Sequence, residues 1–185
     1  MRVFIAAIIP EEIKIEIDKY LKEIKPNWEG VKWEKYNKLH VTLKFLGEVE
    51  ESIVERFKST FQNLVLAYSP FEMTISGFGG FPNLKNPRVL FIGLSENLEL
   101  LKLHGEIEER LEVLGFKKEN RKFVPHVTVG RIKGRSKSRG IFPVPSNTHF
   151  FISQIAVMKS ELKPEDSKYT PLSVLRLNNK RSNLS

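Results

Sequence analysis

Leu39-His40-Val41-Thr42-Leu43 and, 86 residues further along, Pro125-His126-Val127-Thr128-Val129 are two copies of one pattern. In an extended chain, side chains at i and i+2 leave from one face and those at i+1 and i+3 from the other. Each copy is rich in apolar and β-branched residues, so each reads as a strand. Val41 with Leu43, and Val127 with Val129, then suit a core. His40 with Thr42, and His126 with Thr128, share the opposite faces. For a single His-x-Thr the ordinary reading is a satisfied histidine in a strand. The matched pair predicts that both imidazoles open on one cleft, one from each half of the molecule.

The elements around these strands follow from periodicity. Arg2 to Ile9 is an apolar run stopped by Pro10 and reads as a buried strand. Ile13, Ile17, Leu21 and Ile24 recur at helical spacing and end near Pro26. Val31 to Trp33 forms a short strand, Leu39 to Leu46 a longer one, and Ile53, Phe57, Phe61, Leu64 and Val65 mark a helix between about 50 and 67. After Pro70 the spacing predicts strands over 71–78 and 88–94, a helix over 97–114, and a strand over 126–132. The stretch 133–147 reads as a loop with at most a helical turn. Strands are expected over 150–158 and 169–177, then a mobile polar tail over 178–185. Strands and helices mixed without strict alternation indicate an α+β fold with antiparallel sheets, and 185 residues suit one domain.

Composition excludes several chemistries. The chain has no cysteine, hence no disulfide, thiolate metal site or cysteine nucleophile. No apolar run approaches the roughly 20 residues that span a bilayer, and a cytoplasmic protein without a membrane partner is expected. The formal net charge is +8, and 117–139 alone, with nine basic residues and one acid, carries that whole excess. A charge run is usually a solvated face. This one surrounds the second histidine motif, where it suits an anionic partner such as a nucleic-acid end.

Two histidines facing one another suit phosphoryl transfer. The attacking and leaving oxygens lie in line on opposite sides of phosphorus, so a neutral imidazole can take a proton at one end while a protonated one gives a proton at the other. The threonine hydroxyls can donate to nonbridging oxygens. Neither motif has the paired ligand spacing of a common metal site, so no metal and no cofactor is expected. His104 and His149 have no such partner motif and read as structural or surface residues.

Further stretches add a resemblance. Phe4 to Pro10, Leu39 to Glu48 (LHVTLKFLGE), Phe81-Pro82, Pro87 to Gly93 (PRVLFIG), Phe123 to Lys133 (FVPHVTVGRIK) and Ser160 to Pro164 (SELKP) together resemble the RNA 2',3'-cyclic phosphodiesterases of the two-histidine phosphoesterase superfamily, also called 2'-5' RNA ligases. The resemblance covers nearly the whole chain. It implies one bilobed domain over 1–185, with two antiparallel sheets and flanking helices related by approximate twofold symmetry around a central cleft. It implies metal-independent hydrolysis of RNA 2',3'-cyclic phosphate ends, or of cyclic nucleotides, to 2'-phosphates by a monomer. It assigns catalysis to His40 and His126, phosphate binding to Thr42, Thr128 and Arg131, and substrate contact to Phe45. His126 would be the base toward water and His40 the acid toward O3'.

Strand parity complicates two of these assignments. Phe45 and Arg131 sit at odd offsets from their histidines, and an undistorted strand would point both away from the cleft. Gly130 could mark a bulge that turns Arg131 inward. Lys44 has cleft parity and reads as an exposed lysine with a possible RNA contact, while Trp33 and Phe81 are candidates for base stacking or for the core. Two other readings remain open. One is 2'-5' joining of tRNA halves as the physiological role; the other is a noncatalytic RNA- or nucleotide-binding module.

Overall fold

The computed structural model describes residues 1–138 (135–138 by backbone alone), 148–163 and 166–178. The elements run β1 (Arg2–Ile8), α1 (Glu11–Ile24), β2 (Trp28–Trp33), β3 (His40–Glu48), α2 (Glu51–Leu66), β4 (Phe71–Phe81), β5 (Val89–Leu94), α3 (Leu98–Val113), β6 (His126–Ser138), β7 (His149–Ile152), β8 (Gln154–Leu162) and β9 (Ser167–Arg176), with 3-10 turns at Lys25–Asn27 and Tyr36–Lys38. The fold is α+β and every strand pairing is antiparallel.

The strands form two sets that meet at one point. β3, β1, β8 and β9 make one half; β7, β4, β5 and β6 make the other, with β2 added to β6. The pair Val41 and Val127 joins β3 to β6 and turns the two sets into one continuous path. The second half runs β5–α3–β6, and the first runs β1–α1–β3 with β2 inserted before β3 and paired to β6.

Each helix buries the stripe that its periodicity marks: Ile13, Ile17, Leu21 and Ile24 of α1, Phe57, Phe61 and Leu64 of α2, and Leu100, Leu103, Ile107 and Leu111 of α3. Glu11 and Glu12 occupy the first turn of α1, favourable to its dipole. The Asn97 side chain caps α3 by accepting from Leu100 N at 2.9 Å. Tyr20 of α1 meets Phe78 of β4 edge-on, so this helix packs across to the second half. One hydrophobic cluster contains residues of both halves.

The structure departs from the periodicity in three places. β6 continues through Ser138, where a loop from Lys133 was expected, and β2 begins at Trp28 rather than Val31. These are one event, because Trp28 pairs with Ser138 and Glu29 with Lys137. The rest of the expected loop lies outside the described residues. The strand expected over 150–158 divides at Ser153 into β7, paired with β4 in one half, and β8, paired with β1 in the other. Asn178, expected to open a mobile tail, instead donates its backbone N–H to Tyr68 O at 2.7 Å. Residues 179–185 of that tail lie outside the described residues. Among the described residues no helix is long and apolar enough to cross a membrane.

Candidate active site

Val41 and Val127 are both fully buried, on the face of the sheet that packs the core. Alternation therefore sends His40 and Thr42 of β3, and His126 and Thr128 of β6, to the opposite face. Antiparallel register about that bridge sets His40 across from Thr128 and Thr42 across from His126. Thr42, His126 and Thr128 line a groove of about 610 Å³ with Phe45, Phe81 and Arg131. His40 opens instead on a neighbouring chamber of about 780 Å³ with Lys38 and Tyr169. The two cavities adjoin where the Thr42 hydroxyl comes within 3.0 Å of His40 Nε2.

The same local device orients both imidazoles. His40 Nδ1 lies 2.6 Å from Lys38 O and His126 Nδ1 lies 2.6 Å from Val124 O, in each case the carbonyl two residues upstream. A carbonyl can only accept, so Nδ1 carries the proton and the neutral ring leaves Nε2 unprotonated. Aromatic rings hold each imidazole. Phe4 and Tyr169 lie 4.9 and 5.5 Å from His40, and Phe81 and Phe91 lie 5.0 and 5.3 Å from His126, centroid to centroid. The Phe91 ring occupies the space above Gly79, where a Cβ would meet it at 2.3 Å, so only glycine admits this ring.

Burial sets the electrostatics. It depresses His40 to about 4, with Lys14, Arg131 and His126 acting in the same direction against the Lys38 carbonyl. It also lowers His126, helped by Arg131 and opposed by the Val124 carbonyl. Both rings are thus neutral near pH 7 while no anion is bound.

The parity difficulty resolves through a matched pair of bulges. Ala6 pairs with Thr42 but Ile5 with Lys44, leaving Leu43 as an extra residue in β3. Phe91 pairs with Thr128 but Leu90 with Gly130, leaving Val129 as the extra residue in β6. A bulge resets the alternation. Phe45 consequently pairs with Phe4, whose face of β1 also carries the partners of Thr42 and His40. Phe45 is 66% exposed and lines the groove. Arg131 returns to the cleft face by the same means, with its Nε 3.7 Å from Glu34.

The β3 bulge also corrects the reading of Lys44. Lys44 lines the groove but is not exposed: its ammonium reaches Glu108 Oε2 of α3 and Lys117 O, each at 2.8 Å. Trp33, a stacking candidate, lies across from Gly130 against the core and does not line the groove. Phe81 lines the groove and stacks on Phe91 at 4.4 Å. Of the basic run, Arg121, Lys122 and Arg131 line the groove. The side chains of Arg135, Lys137 and Arg139 lie outside what is described.

Sequence reasoning missed several neighbours. Tyr169 comes from β9 and has no motif linking it to His40. Lys38, whose carbonyl holds His40, is anchored by contacts from its ammonium to Asp166 and to Ser167 O. The signal was present in the SELKP stretch, which lies just ahead of Asp166 and Ser167 in the chain. His104, read as structural or surface, lies flat against Phe123 and faces Glu108, and both it and Phe123 line the groove. His149 is an exposed residue beside Glu72. No group of three or more His, Asp or Glu able to hold a metal occurs among the described residues.

Comparison with known proteins gives a consistent result. The family described as LigT-like phosphoesterase matches residues 8–91 and again 92–165, each match enclosing one His-x-Thr. An RNA 2',3'-cyclic phosphodiesterase of Methanocaldococcus jannaschii is 44% identical over 133 residues, covering 72% of this chain and 72% of that protein. One from Methanothermobacter thermautotrophicus is 31% identical over 183 residues, covering 96% and 99%. A crystal structure of a Thermus thermophilus protein superposes with a TM-score of 0.87 at 29% identity, covering 97% of this chain and 100% of that one. E. coli LigT complexed with 3'-AMP gives 0.77 at 26% identity, covering 95% and 97%.

Proposed function

The chain belongs to the LigT-like phosphoesterase family, and from that premise we propose that it hydrolyses RNA 2',3'-cyclic phosphate ends to 2'-phosphates. The observation that carries this reading is the placement of two Nε2 atoms, each backed by an Nδ1–H tether, on one face of two strands about the Val41–Val127 bridge. The chain would act as a monomeric bilobed unit, since both histidines come from one polypeptide.

In this reading His126 Nε2 takes a proton from water as the water oxygen bonds to phosphorus. The P–O3' bond breaks, O3' receives the proton held on His40 Nε2, and a 2'-phosphate remains. Arg131 and the hydroxyls of Thr42 and Thr128 stabilise the nonbridging oxygens. A His40 depressed to about 4 is neutral before substrate arrives. The incoming phosphate anion favours its protonated form, and the low affinity for that proton makes it a strong acid toward the alkoxide.

Replacing either His40 or His126 by Ala should lower kcat for a 2',3'-cyclic nucleotide by roughly 10² to 10⁴, and a chelator should leave wild-type turnover unchanged. Most activity retained by either variant would remove the paired mechanism. Binding unaffected by both substitutions, with no turnover of any cyclic phosphate, would favour the noncatalytic alternative. A second reading, 2'-5' joining, draws on the lysine-lined chamber beside His40, which offers room for a 5'-hydroxyl end. Incubation with cleaved tRNA halves, counting joined against hydrolysed ends, separates the two.

A further inference from the structure

We infer that the far end of the groove holds a second nucleotide, the one upstream of the cyclic phosphate, stacked on Phe123. This deepens the preceding reading and rests on it: the nucleotide upstream of the cyclic phosphate in the RNA end gains its own place in the groove.

The direction of the groove follows from the register. His40 lies across from Thr128 and Thr42 across from His126, so β3 beyond Thr42 runs toward the segment preceding His126. Phe45 and Phe123 are therefore carried to the same end, and both line the groove. Phe45 presents an exposed ring there. Phe123 lies on the His104 ring with centroids 4.0 Å apart and planes 11° from parallel. One face of Phe123 is thus backed, the residue is partly buried against the core, and where it lines the groove a base would extend an existing stack.

The support beneath this stack is rigid. Glu108 is buried, and its Oε2 accepts from both Lys44 Nζ at 2.8 Å and Glu119 N at 3.1 Å. Lys44 also donates to Lys117 O. These contacts tie the segment leading to Phe123 onto α3 and the β3 bulge. Such bracing exceeds what a solvated loop requires, and it holds an aromatic ring in place before any ligand arrives.

The rim supplies charge. Arg121 and Lys122 flank Phe123 with side chains 90% and 76% exposed, and both line the groove. The ion pairs of Arg121 with Glu119 and of Lys122 with Glu96 are solvent-exposed, and such pairs are weak enough for either cation to turn to a phosphate. Successive aromatic faces beside cations suit single-stranded nucleic acid, with bases stacking and the backbone tracking positive charge.

The test compares a 2',3'-cyclic mononucleotide with a dinucleotide ending in the same cyclic nucleotide, using wild type and Phe123→Leu, which keeps an apolar side chain but removes the ring. Wild-type kcat/KM should favour the dinucleotide by roughly tenfold. Phe123→Leu should bring that ratio to about one, with a cooperative denaturation transition reporting an intact fold. Equal kcat/KM for the two substrates in wild type, or an equal loss of both in the variant, would overturn the subsite and leave the phosphodiesterase reading standing. Turnover of neither substrate by wild type would defeat that reading instead. The subsite is then judged by binding: a dinucleotide ending in 2'-phosphate should bind wild type at least about fivefold more tightly than Phe123→Leu, and equal binding rejects it.

Discussion

Val41 and Val127 oppose one another as the residue pair that joins β3 to β6, and the candidate site is arranged around that pair. Both side chains are buried in the core, which sends their neighbours on either side to the opposite face of the sheet. A bulge then follows the threonine on each strand. The cleft thus gains an aromatic ring from one half and a guanidinium from the other at equivalent positions, five residues after each histidine.

Burial is the main cause that depresses both histidines, and the Arg131 guanidinium adds to it. Removing the guanidinium as Arg131→Ala should therefore raise the titration of His40 and of His126 toward the ordinary imidazole range, since a cation disfavours a second positive charge. Titration by NMR reads both rings. Unchanged midpoints would mean that this side chain does not face them.

Phe45 is mostly exposed, so Phe45→Ala should change folding stability by no more than about 0.5 kcal/mol. The same substitution should raise KM for a cyclic nucleotide roughly tenfold if the ring carries a base. Steady-state kinetics with a denaturation curve separates the two effects. A large stability loss with KM unaltered would return Phe45 to a packing role.

Folded His40 titrates near 4, against an ordinary value of 6.5. Between these values the unfolded chain binds more protons, so stability is fully present above about pH 6.5 and declines as pH falls toward 4. Replacement by Asn, which does not titrate there, should flatten this part of the stability profile. Chemical denaturation at a series of pH values measures it, and an identical slope in both proteins would contradict the assignment.

Lys44 and Glu108 form an ion pair whose side chains are 9% and 8% exposed. Lys44→Met would leave a buried carboxylate uncompensated and should cost about 3 to 5 kcal/mol. Replacing both partners, as Lys44→Met with Glu108→Leu, should recover most of that loss. Denaturant midpoints test the comparison, and a double variant no better than the single would show that the pair is more than mutual neutralisation.

Much of this arrangement is local in origin and was legible in the order of residues. The helical stripes of α1, α2 and α3 and the two His-x-Thr strands arise from spacing within one segment, where backbone periodicity alone decides which side chains share a face. The matched motifs themselves announced two imidazole-and-hydroxyl faces from distant parts of the chain, and the motif set carried the family. What lay beyond reach depended on partners far away in the chain. Leu43 and Val129 become extra residues only because β1 and β5 pair past them, and that alone turns Phe45 and Arg131 inward and Lys44 down to Glu108. The division of 149–162 into β7 and β8 likewise follows from pairing with β4 and β1. Alternation is a property of a single strand, whereas register, bulges and burial are properties of pairs, so they exist only once the sheet has formed.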